Sequence, residues 1–157
     1  MAFQARRAPV LLLGAIALIS GLWTGLARLG AVPTPLPVLA HGPLMVSGFL
    51  GTVIALERAV AARAPWAYAG PVSCGLGALL LLAGLRGAPF LALGSLVVCA
   101  VLVRVCWQQP ALHHAVLLLA AGSWLVGNVA LALGHPVFEV VPSWMLFLVG
   151  TIAAERL

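Results

Sequence analysis

At 157 residues, 64% hydrophobic and only 7% charged, the chain carries too few charges to build a water-facing surface. Its mean hydropathy of +1.18 makes it a polytopic membrane protein and excludes a soluble domain. All eight basic residues are arginines spread between apolar runs, so the net charge of +5 sets membrane topology and implies no nucleic-acid partner.

The first 30 residues, MAFQARRAPVLLLGAIALISGLWTGLARLG, place Arg6-Arg7 before an apolar run in the manner of a twin-arginine signal. The run from Pro9 to Ala27 is long for a signal core, and more hydrophobic spans follow it. It reads as an uncleaved first span.

About 20 apolar residues are needed to cross a bilayer. With Pro, Gly and Arg as punctuation, six helices are predicted near 9–29, 41–62, 67–85, 89–107, 112–133 and 137–156. The link AVPTPLPVLA has three prolines in ten residues and is predicted to be extended. The other links are tight turns, so consecutive helices run antiparallel and one transmembrane domain covers 1–157. The last span ends almost where the chain does, which suggests a piece of a longer protein.

Arg6, Arg7, Arg58, Arg63, Arg104 and Arg156 fall at one end of the bundle, and Arg28 and Arg86 at the other. The positive-inside rule then places both termini in the cytoplasm. His41 and His135 lie at the outer face, and His113 and His114 at the inner one. A helix of about 20 residues keeps those two pairs apart.

Cys74, Cys99 and Cys106 have no zinc-ligand spacing and read as small apolar packing residues. Asn128 is the strong hydrogen-bonding amide deep within a span, expected to bond a neighbouring helix for about 1 kcal/mol or less.

The second and sixth spans end alike, in GFLGTVIALER at 48–58 and LFLVGTIAAER at 146–156. A parallel four-helix repeat explains the echo economically. A charge within the membrane costs about 2.5–3.5 kcal/mol on insertion scales, so such residues pair or serve function. Adjacent helical residues do not face each other. The expected arrangement is therefore reciprocal, Glu57 with Arg156 and Glu155 with Arg58; snorkelling to the headgroups is the alternative.

In the second span, His41, Met45, Gly48, Thr52, Ala55 and Ala59 share one face at α-helical spacing. Below the histidine and methionine, only small residues follow. Two readings stay open. Either His41 is a ligand to haem or copper with Met45 one turn below and His135 as second donor, or the stripe is a close packing seam.

LAHGPLMVSGFLGTVIALER, with its H-G-x-L-M-x-x-G-F order, resembles helix two of haem-copper oxidase catalytic subunits and the NnrS-type membrane proteins. WLVGN, VVPSW and TIAAERL are similar to segments of uncharacterised bacterial polytopic membrane proteins. The oxidase and NnrS resemblance implies a haem ligand at His41 and a respiratory or nitric-oxide-related role. Against it, span six has no histidine at a copper-ligand position, and the only tyrosine, Tyr68, lies at a helix start. Oxygen reduction by this chain alone is not expected. The other readings are a scaffold or assembly subunit, contacting other membrane subunits or its own copies, and a small transporter. A transporter needs polar groups at the midplane, and apart from Thr52, Ser95, Ser123 and Asn128 that region is dry. No nucleophile–base–orienter set is present, so the chain is read as non-enzymatic.

Overall fold

The structure is a computed structural model and describes residues 7–157; Arg6, one of the topology-setting arginines, lies outside them. Six helices are long and apolar enough to cross a membrane: α1 (Ala8–Arg28), α2 (Val38–Ala62), α3 (Pro65–Leu82), α4 (Ala88–Gln108), α5 (Leu112–Ala132) and α6 (Val137–Ala154). Among the described residues there is no strand.

The punctuation works through identifiable chemistry. Pro9, Pro65 and Pro89 sit in the first turn of their helices, where a missing N–H costs nothing. Gly30, Gly84 and Gly134 follow α1, α3 and α5 with positive φ, the backbone shape that closes a helix end. Gly84 also explains why α3 stops at Leu82 and not near 85. In the proline-rich link, residues 31–37 are non-helical, and Val38–Ala40 already form a 3-10 turn leading into α2.

α2 departs from the regular helix its sequence suggests. His41–Pro43 make an α turn, Leu44–Leu50 a π-helical segment, and Gly51–Ala62 return to α geometry. The π segment closes i→i+5 bonds, as Gly51 N–H donating to Val46 C=O shows.

α2 is the hub of the bundle. Against α1 it forms an antiparallel seam of small residues. A Cβ added at Gly14 would touch Thr52, one at Gly21 would meet Met45, and one at Gly25 would meet the His41 ring; Gly48 faces Ala17 and Ala78. On the other side, Gly42 lies beside Val137 and Trp144 of α6, and Gly51 lies under the Trp124 ring of α5. α2 and α6 thus run parallel, with Gly42 near the start of α6 and Arg58 bonded to Glu155 at its end.

Glycine also closes the α3–α4 and α5–α6 seams. Gly94 accommodates the Cys74 thiol, Gly87 meets the Gly77 carbonyl, and Gly127 faces Trp144. Lipid tails are as apolar as leucine, so helices in a bilayer associate through such close van der Waals contact. Large apolar side chains instead cover the periphery, for example Leu12, Ile19, Leu119, Val126 and Val149.

Candidate functional site

Two places concentrate polar groups within this apolar bundle: a buried network at the level of Ser47 and the start of α2 around His41.

The network begins with Asn128, fully buried on α5. Its side-chain oxygen accepts hydrogen bonds from Ser47 Oγ of α2 (2.7 Å) and Trp144 Nε1 of α6 (3.1 Å). Its Nδ2 donates to the Leu91 carbonyl of α4 (3.2 Å), and Trp124 Nε1 donates to Ser47 Oγ (3.0 Å). Trp124 also stacks on Phe147, with ring centroids 4.6 Å apart and planes 8° from parallel. One amide therefore ties four helices together. Asn128 was legible in the sequence as an interhelical bonder. Its partners were not, because a serine, a tryptophan and a backbone carbonyl on three other helices carry no local signal.

Each indole N–H, the serine hydroxyl and the amide is engaged. A buried network satisfied in this way rigidifies a core. Thr24, Thr52, Ser95 and Ser123 likewise bond carbonyls of their own helices.

His41, half-buried near the start of α2, is aimed at α1. Its Nδ1 lies 2.7 Å from the Gly21 carbonyl. A carbonyl only accepts, so Nδ1 donates, and in the neutral imidazole the lone pair is then on Nε2. That tautomer is the one metal-ligating histidines adopt when their other nitrogen is held by a backbone oxygen. Met45 packs one turn below, with its sulfur on Gly21.

His135 is elsewhere. It is exposed before α6, with Nδ1 2.8 Å from the Glu139 carboxylate. The residue of α2 facing α6 is Gly42, so His41 and His135 address different interfaces. Among the described residues no group of three or more His, Cys, Asp or Glu side chains is arranged to hold a metal. The small-residue stripe below His41, which a flat ligand would need, is filled by α1. The donor present suits a single imidazole contribution; a haem plane along the stripe does not fit.

At the opposite end, Arg58 Nη2 contacts both Glu155 (2.9 Å) and its neighbour Glu57 (3.2 Å). The Glu57–Arg58 contact departs from the rule that adjacent residues point apart, because a long guanidinium bends back to a carboxylate that its own Cβ does not face. Among the described residues Glu57 and Arg156 form no ion pair with each other, and Arg156 is exposed just beyond α6. Both carboxylates are about half exposed, so the pairing is worth little. Glu155→Gln is expected to lower stability by less than about 1 kcal/mol, read as the shift in a detergent thermal melt.

The His113 and His114 rings adjoin at this same end, with centroids 4.0 Å apart and planes tilted by 53°, and His114 Nδ1 donates to the Gln109 carbonyl (2.7 Å). They make no contact with His41.

Fold and site together define a multi-pass membrane-type helical bundle with a closed polar core. Residues 7–157 match the model of a family described as Domain of unknown function (DUF8744), and the chain belongs to that family. No curated protein and no solved structure matches it.

Proposed function

We propose that this chain is a non-catalytic membrane scaffold or assembly subunit of a bacterial inner membrane, with both described ends cytoplasmic. The closed network around Asn128 carries this reading. Its polar groups are consumed in holding α2, α4, α5 and α6 in register, which suits a rigid platform and leaves no midplane group for proton or ion handling. Arg7, Arg58, Arg63, Arg104 and Arg156 at one end support that orientation. The apolar exterior of α6, with Phe138, Leu146, Val149 and Ile152 exposed, offers membrane subunits or a second copy the same contacts that it offers lipid.

A second reading is favoured by one observation, the His41 tautomer. With Nδ1–H held by Gly21, Nε2 is the nitrogen that could ligate copper, or a haem lying outside the α1–α2 seam, the remaining donors coming from outside this bundle. Such a group would supply redox or gas-binding chemistry, in line with a respiratory or nitric-oxide-related role. His41 would contribute only its position and basicity.

Absorption spectra of the detergent-purified protein, oxidised and reduced, separate the two readings. The scaffold predicts a protein with no Soret or copper band, before and after His41→Ala. The substitution should still lower stability by about 1 kcal/mol, because it removes a hydrogen bond joining α1 to α2. A Soret or copper band that His41→Ala abolishes would overturn the scaffold and install the ligand reading.

A further inference from the structure

A groove of about 890 Å³ lies where the start of α1, the end of α2 and the start of α3 meet. It falls within the range of about 300–1,000 Å³ seen for small-molecule sites. Its walls are apolar, with Val10, Val60, Pro65 and Val72 among them, and two polar side chains line it, Arg63 and Tyr68.

Arg63 is unusual in its backbone. It ends α2 in the left-handed conformation, φ 50° and ψ 29°, and is the one non-glycine with positive φ among the described residues. The other three such positions are glycines, where the shape costs no steric strain. Glycine would also end α2 more easily, so the strained position retains a guanidinium that the backbone does not need. Arg63 is also a cation without a carboxylate. Of the three acidic residues, Glu57 and Glu155 are held by Arg58, and Glu139 lies with His135 at the other end. Among the described residues, neither the Arg63 guanidinium nor the Tyr68 hydroxyl has a hydrogen-bond partner. Beside them Trp66 is 44% exposed, and a tryptophan–tyrosine pair is the usual furniture of the headgroup level.

An apolar trough leading to an unpaired cation and a phenol at headgroup depth matches one ligand chemistry. We propose that this groove binds one anionic phospholipid, its phosphate at Arg63 and Tyr68 and an acyl chain along Val10, Val60 and Val72. The site is independent of the scaffold reading. It gives the cytoplasmic end of the bundle a preference for anionic bilayers that scattered arginines alone would not localise.

The test counts lipids retained by the full chain in native mass spectrometry, after equilibration with vesicles of phosphatidylglycerol and phosphatidylcholine bearing identical acyl chains. One phosphatidylglycerol should be retained about fivefold in preference, the factor that about 1 kcal/mol per basic residue gives. Arg63→Gly should abolish the preference while the protein melts at the same temperature or higher, because the left-handed position is relieved. Arg104→Ala, an exposed arginine at the same end and outside the groove, should leave the preference intact. Should the glycine variant not be recovered folded, Arg63→Asn carries the same expectation, as asparagine tolerates this backbone shape. Equal retention of both lipids, or a preference that survives at Arg63→Gly, would overturn the proposal. So would a preference lost equally at Arg104→Ala, or a dimer that Arg63→Gly dissociates without any lipid preference.

Discussion

Gly51→Ala is expected to destabilise the bundle by about 2–3 kcal/mol, at the upper end of what overpacking a close-packed core costs. The new methyl would fall onto Trp124, at Cζ2 and Cη2 of the six-membered ring. A flexible side chain would move aside. Trp124 cannot, because it is fully buried, stacked on Phe147 and hydrogen-bonded through Nε1 to Ser47. Relief therefore requires breaking one of those contacts or separating α2 from α5. A melting curve of purified protein, followed by tryptophan fluorescence, reads the loss directly. The same curve on Gly122→Ala is the control, since nothing lies within 4 Å of a Cβ there. A Gly51→Ala protein as stable as its parent would mean that the α2–α5 contact is looser than described.

Asn128→Ala has the second large effect, about 2–4 kcal/mol. Interhelical hydrogen bonds in membranes average about 0.6 kcal/mol, and Asn128 makes three. Their loss also strands the Trp144 indole N–H, and a stranded buried polar group costs about 1–3 kcal/mol, while the Leu91 carbonyl keeps its bond from Ser95 Oγ. Ser47→Ala alone should cost less. In the Asn128→Ala background it should cost less again, because the two residues act through one network and their effects do not add. Equal Ser47→Ala costs in both backgrounds would show that the bonds act independently.

The six spans were legible because their signals are local: long apolar runs, prolines at helix starts and glycines at helix ends each act within a few residues. The π segment was not. Nothing in LMVSGFL distinguishes it from α-helix; within it Gly48 meets Ala17 of α1 and Ala78 of α3, and just beyond it Gly51 lies under Trp124 of α5. The stripe from His41 to Thr52 was legible as a face. The sequence could not say whether a ligand or a helix would cover it, and the matching stripe Gly14, Ala17, Gly21 and Gly25 on α1 covers it. Glu155 with Arg58 is a long-range pair that the repeated Glu-Arg ending pointed to. The bend of Arg58 back to Glu57 depends on side-chain reach, which spacing rules leave out.

The i→i+5 stretch in α2 also bears on how this helix tolerates insertion and deletion. An in-frame loss of one codon within 44–50 can be absorbed by reverting the stretch to ordinary α-helix, with Gly51–Ala62 kept in place. Seven residues closed by i→i+5 bonds turn about as far around the axis as six α-helical ones, so the residues before the stretch keep their phase. His41 would stay at the Gly21 carbonyl while Arg58 kept its hold on Glu155. Loss of one residue within Gly51–Ala62 meets no such slack and would turn one part of α2 against the other by about 100°.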